Sequence, residues 1–164
     1  MELVQIEISR HSWRTTECGC GKNADHIPHD FLAALEEAPP SRTGMGWADN
    51  HAYVQSNLME TAVATASVVT AALADPDVPL EWRWHLLGVL NNLAYGDQES
   101  IAEECQNVIR GSTWILYEEI TSGRSKPAAG YAYDLLTAYP EEESRLRSFQ
   151  QEMRANLPED LQPK

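Results

Sequence analysis

The chain has 164 residues, a length suited to a single domain with a real hydrophobic core. Hydrophobic residues make up 43% of it, which excludes a wholly disordered chain. Asp and Glu number 25 against 12 Lys and Arg, a net charge of -13; such a field repels nucleic acid and anionic membranes and attracts basic partners, although solubility alone is the plain alternative.

The opening MELVQIEISRHSWR lacks an apolar run behind a basic segment, so no export signal is expected. Val4, Ile6 and Ile8 alternate with polar residues, which predicts a short extended arm anchored by Trp13. Residues 17–24, ECGCGKNA, read as a loop. Asp25 and Pro28 mark a helix entry, and Ile27, Phe31, Leu32 and Leu35 give that helix one apolar face. Pro39 and Pro40 end it, and residues 42–46 form a mobile loop. A second helix is expected over residues 47–58.

Residues 60–95 organise the rest. Ala62, Ala66, Val69 and Leu73 recur at helical steps, and so do Leu86, Leu87, Leu90, Leu93 and Ala94. The breaker Asp75-Pro76-Asp77-Val78-Pro79 between them predicts two helices folded back on each other. The first of these helices is too short and too polar to span a bilayer. A long helix follows from Asp97, with Ile101, Cys105, Val108, Ile115, Leu116 and Ile120 on one side; Gly111-Ser112 kinks or divides it, and Gly123 caps it. Lys126-Pro127 starts a helix bearing Ala128, Ala132, Leu135 and Leu136, and Pro140 starts the last one, with Leu146, Phe149 and Met153 inward. Residues 157–164 are expected to fray. The domain thus divides into an arm and loop (1–25), a helical stack (26–156) and a flexible tail (157–164).

Recurring helix pairs without residue-for-residue identity fit a short HEAT- or armadillo-like α-solenoid, with an irregular helical bundle as the alternative. The segment KPAAGYAYDLLTAYPEEESRLRSFQQEM resembles the terminal repeat of small bacterial HEAT-repeat proteins, through Ala128, Ala129, Ala132, Leu135, Leu136, Pro140 and Leu146. His51, Gln55 and Ser56 ahead of an alanine-rich helix resemble that family's middle helices, and residues 11–35 its first repeat. The resemblance is compositional and covers most of the chain. It implies an all-α fold and, because such proteins of actinobacterial type often accompany toxin or interaction loci, a protein-binding role such as toxin immunity.

Candidate chemistry is sparse. Cys18, Cys20, His26 and His29 offer two thiolates and two imidazoles, a plausible zinc set. Cys-x-Cys lacks the usual gap, and Pro28 restricts how the two rings could converge. The competing reading, which is preferred, is a loop packed on Trp13 with both histidines at the surface, so no cofactor is assigned. His51, with Gln55 and Asn57, is read as turn-capping hydrogen bonds rather than a ligand site. His85 reads as a satisfied structural histidine and Cys105 as a small core residue. The odd cysteine count fits a reducing cytoplasm. No nucleophile elbow, phosphate loop or His-Glu-x-x-His is present, so no enzymatic activity is expected. Trp82, two residues from Trp84, is either an exposed binding hot spot or a cover for the next helix pair. Glu103, Glu104, Glu118 and Glu119 are among the acidic turn and helix residues that could form a ridge for a basic partner, or simply a solvated face.

The expectation is therefore a cytoplasmic, non-enzymatic binding module, most concretely an immunity protein that occludes a basic toxin and touches neither nucleic acid nor membrane. The alternatives are a general scaffold or regulatory subunit, or a DNA-base-processing enzyme of HEAT-like fold.

Overall fold

Ala62–Ala74 is alanine, valine and threonine on nearly every side, and a helix without a polar face has to be surrounded. In the computed structural model, which describes residues 1–40 and 46–163, it is: Ala62, Thr65, Ala66, Val68, Val69, Thr70, Ala72 and Leu73 are all buried. Helices are numbered in chain order: α1 Glu2–Ser9, α2 His26–Leu35, α3 Ala62–Ala74, α4 Arg83–Ala94, α5 Glu99–Arg110, α6 Thr113–Ser122, α7 Lys126–Thr137 and α8 Glu143–Glu152. Helix α3 lies against α1, α4 and α5; α4 also packs on α7, and α7 on α6. Leu86, Leu87, Leu90 and Leu93 of α4 are fully buried between these neighbours. Among the described residues helix makes up 63% against one two-stranded ribbon, so the fold is all-α. Among the described residues no helix is long and apolar enough to cross a membrane.

Several boundaries follow from local chemistry. Asp75 closes α3: its buried carboxylate accepts the Asp77 N–H and, from α1, the Leu3 N–H, both at 3.0 Å. Gly111 and Ser112 do divide the long helical pattern into α5 and α6. Ser125 caps α7 by accepting the Ala128 N–H at 3.3 Å, and Pro127 sits in the first turn. Gly123 ends α6 in the left-handed conformation, φ +62°. There Asn156 Nδ2 donates to Ile120 O at 2.9 Å and Thr121 O at 3.2 Å.

Three expectations are corrected. The N-terminal arm is not extended. It is helix α1, because Val4 and Ile8, four apart, face α3 together while Ile6 is left exposed. Trp13 does anchor it, through an indole N–H donated to Ile8 O at 2.9 Å. No helix covers 47–58. Asn50 (φ +64°) and Gln55 (φ +59°) are left-handed, and a two-residue hairpin, β1 Tyr53–Val54 with β2 Asn57–Leu58, takes its place. Its backbone is satisfied from the α4–α5 turn: Asp97 N–H donates to Ser56 O at 2.8 Å, and Leu58 N–H donates to the Gln98 side chain. The tail docks instead of fraying, with Leu157 fully buried. The loop expected over 42–46 lies outside the described residues apart from Gly46, and Lys164 also lies outside them.

The buried polar groups are mostly paired. Arg83 Nε donates to Glu119 Oε1, and its Nη2 donates to Leu73 O at 2.9 Å. Tyr117 OH donates to Glu142 Oε2 at 2.9 Å. His85 is one exception, beside Tyr53 OH and Thr65 Oγ1: it is buried between the rings of Trp82 and Trp84, and its Nε2 has no partner. Burial holds its pKa below the ordinary value, so the native state resists protonation that the unfolded chain accepts. Its contribution to stability is intact above the unfolded pKa of about 6.5 and is lost as pH falls from there toward the lower folded value. The loss is at most about 1.4 kcal/mol per pH unit. Urea melts of His85→Leu should therefore change less between pH 7.5 and 5.5 than those of the wild type; equal slopes would refute the assignment.

Candidate functional site

The loop-rich end of the molecule gathers Cys18, Cys20 and His26, neighbours in sequence, with His51, which lies 25 residues beyond His26. Residues 17–24 close on themselves through a bridge between Glu17 and Asn23, with the Cys18 N–H donated to Lys22 O and the Gly21 N–H to Cys18 O, both at 2.8 Å. Gly21 is left-handed, φ +77°. His26 is the first residue of α2, and its ring Nδ1 lies 2.9 Å from Asn23 O. The second wall is the turn before the hairpin, where Ala52 N–H donates to Ala48 O at 2.8 Å and His51 projects back toward the loop. The His51 carbonyl accepts the Gly19 N–H at 2.9 Å and the Thr61 hydroxyl at 3.1 Å. A side chain at position 19 would put its Cβ 3.0 Å from Asn50 O and from Met59 Cγ, so glycine lets this loop approach the turn without displacing either.

The result is a compact set. Cys18 Sγ lies 3.1 Å from His51 Nδ1 and 3.6 Å from His26 Nε2; Cys20 Sγ lies 3.9 Å from His26 Nε2; the two ring nitrogens are 3.1 Å apart. Cys18 is buried, Cys20 exposed and both histidines half-buried. An open cavity of about 870 Å³ adjoins it, lined by Cys20, Lys22, Asn23, Asp25, His26 and His51. Burial and the neighbouring Cys20 push the Cys18 thiol up to about 11. Burial and the nearby His26 ring hold His51 below its ordinary value. The Cys18–His51 contact has the reach of a nucleophile–base pair, yet an activated cysteine needs a lowered pKa and access, and Cys18 has neither. Among the described residues, Cys18, Cys20, His26 and His51 are the group whose donor atoms could hold a metal ion.

Of the four ligands expected from sequence, three are here and His29 is not. His29 is 84% exposed, and its Nδ1 faces Asp30. It lies one turn along α2 from His26, but its ring turns to solvent and Asp30 instead of the loop. His51 takes its place. The capping read from the sequence belongs to the His51 carbonyl and not to its ring. The signal that could have found it was the turn pair Asp49-Asn50, which breaks the helix expected there and frees the ring to point at the loop.

The expected partner-binding residues scatter. Trp82 is not an exposed hot spot: it is 3% exposed, and its indole N–H donates to Glu37 O at 3.0 Å, because the 3₁₀ turn at Leu80–Trp82 tips it under the end of α2. Glu119 is also withdrawn, 1% exposed against Arg83. Glu118 is half exposed and ion-paired with Arg124 at 2.6 Å. Glu103 and Glu104 do face solvent on α5. There a groove of about 570 Å³ runs beside the α4–α5 turn, lined by Tyr95, Asp97, Glu99, Glu103, Gln106 and Arg110. Arg10, Arg83, Arg110, Arg124, Arg145 and Arg147, half of the 12 Lys and Arg, are paired with carboxylates.

The chain matches no family model, no curated protein and no solved structure.

Proposed function

We propose that this chain is a non-catalytic protein-binding module, its helices stacked as a short HEAT-like array, which engages a cationic partner along the acidic groove of α5. The observation that carries this reading is the groove itself, where Asp97, Glu99 and Glu103 stand together beside the half-exposed ring of Tyr95. An exposed aromatic next to like charges suits a complementary basic surface: the charges steer the encounter and the ring supplies contact area. The resemblance to HEAT-repeat proteins supports the same class of role, and its most concrete form is an immunity protein in the cytoplasm that covers a basic toxin. A scaffold or regulatory subunit of the same fold is the second reading, favoured if binding ignores salt. A DNA-base-processing role is disfavoured by the charge.

The test is capture of the protein encoded beside this chain, followed by association kinetics. The on-rate should fall ten-fold or more as the screening length shrinks from about 30 Å to about 8 Å. Glu99→Lys with Glu103→Lys should reproduce that loss at low salt. A salt-independent on-rate would move the assignment to the scaffold reading, and absence of a complex would remove the immunity role.

A further inference from the structure

We propose that Cys18, Cys20, His26 and His51 bind one zinc ion in a closed, four-ligand structural centre that ties the 17–24 loop and the start of α2 to the turn before the hairpin. The inference stands on the geometry of these side chains and is independent of the partner-binding reading.

Three observations carry it. The first is size. All four donor atoms lie within 4.8 Å of one another. Tetrahedral zinc with bonds of about 2.0–2.1 Å to nitrogen and 2.3 Å to sulfur separates its ligands by roughly 3.3–3.8 Å. The separations of 3.1, 3.1, 3.6 and 3.9 Å bracket that range. The second is orientation. His26 Nδ1 faces Asn23 O, a carbonyl that can only accept, so Nδ1 carries the ring proton and Nε2 turns a lone pair toward the cluster. A backbone carbonyl holding the far nitrogen is how metal-bound histidines are commonly fixed. The third is the supporting frame. The bonds from Gly19 N–H and Thr61 Oγ1 to His51 O, and from Cys18 N–H to Lys22 O, set the two walls without using any of the four donor atoms.

The chemistry selects the ion. Two thiolates and two neutral imidazoles suit zinc and do not suit calcium or magnesium, which prefer oxygen. Two thiolates balance the charge of a dication, and the cation in turn favours the ionised form of Cys18 that burial alone opposes. Four protein ligands leave no open position for substrate, which is the pattern of structural and not hydrolytic zinc. Hydrogen bonding alone accounts for the cluster less well. With the His26 proton fixed on Nδ1, its Nε2 can accept but not donate, yet His51 Nδ1 and both sulfurs crowd the same point.

The full chain, purified reduced and dialysed against metal-free buffer, should retain close to one zinc per chain by elemental analysis. The cobalt-substituted protein should show the intense absorption of tetrahedral thiolate coordination. His51→Ala and Cys18→Ser should weaken zinc binding by at least about ten-fold, while His29→Ala, at the excluded histidine, should keep the full stoichiometry. A chelator should lower the melting temperature of the wild type and of His29→Ala, but not that of His51→Ala. Wild-type protein that neither retains zinc nor takes it up at micromolar concentration would overturn the proposal, whether or not the ligand variants fold. So would a His29→Ala variant that loses metal as His51→Ala does.

Discussion

Arg83→Met should lower the unfolding free energy by about 3–5 kcal/mol, because it strands a charge in the interior. Glu119 is 1% exposed, and Arg83 supplies its nearest cation. The substitution also strips the Leu73 carbonyl, at the end of α3, of the guanidinium N–H it accepts at 2.9 Å. Arg124, at 3.4 Å from Glu119, compensates partly, but it is already held by Glu118 at 2.6 Å. The companion Arg83→Met/Glu119→Leu double variant should recover most of the loss, since a buried pair replaced whole by apolar groups is often neutral or stabilising. Denaturant titration of the two single variants and the double variant closes the cycle. If the double variant were as unstable as the sum of the singles, the ion pair would not be the origin of the effect.

Phe31→Ala should cost about 3–5 kcal/mol, the range for removing a buried aromatic ring. Phe31 is 1% exposed, and its ring centroid lies 4.4 Å from that of Trp47. This contact is where α2 grips the start of the irregular segment that carries His51, so the cavity would open between the two walls of the Cys–His cluster. Urea unfolding measures the loss. A deficit below about 1 kcal/mol would mean the two walls are held together by other contacts.

The sequence was most legible where one rule governed. Helices α3, α4, α7 and α8 carry apolar side chains at helical steps between proline, aspartate or glycine boundaries, and each appears within a few residues of its expected place. Residues 2–9 and 47–58 were misread for opposite reasons. In α1 the alternation of Val4, Ile6 and Ile8 was genuine, but burial picks out the pair four apart and leaves Ile6 in water. In 47–58 no local signal announces that Asp97 and Gln98, some forty residues later, supply the partners that make a hairpin better than a helix. The Cys–His cluster was legible to the extent of its local part: Cys18, Cys20 and His26 lie on one loop and the helix it opens. His51 depends on that hairpin turn and could not be reached by spacing. Charge was legible as a total but not as a map, since Glu119 spends its charge inside the protein.

The bonds from Asn156 to the carbonyls of Ile120 and Thr121 have a consequence for how the chain is made. Translation runs from α6 toward Asn156, so the end of α6 emerges with those two acceptors open, and their partner is the 36th residue after Ile120. Until that residue is delivered, those two carbonyls are met only by water, although the Thr121 and Ser122 hydroxyls already cap Glu118 O and Glu119 O. Ribosome-bound chains halted before position 156 should therefore hold α6 as a helix with a loose end, which closes only once the terminal segment arrives to seal it.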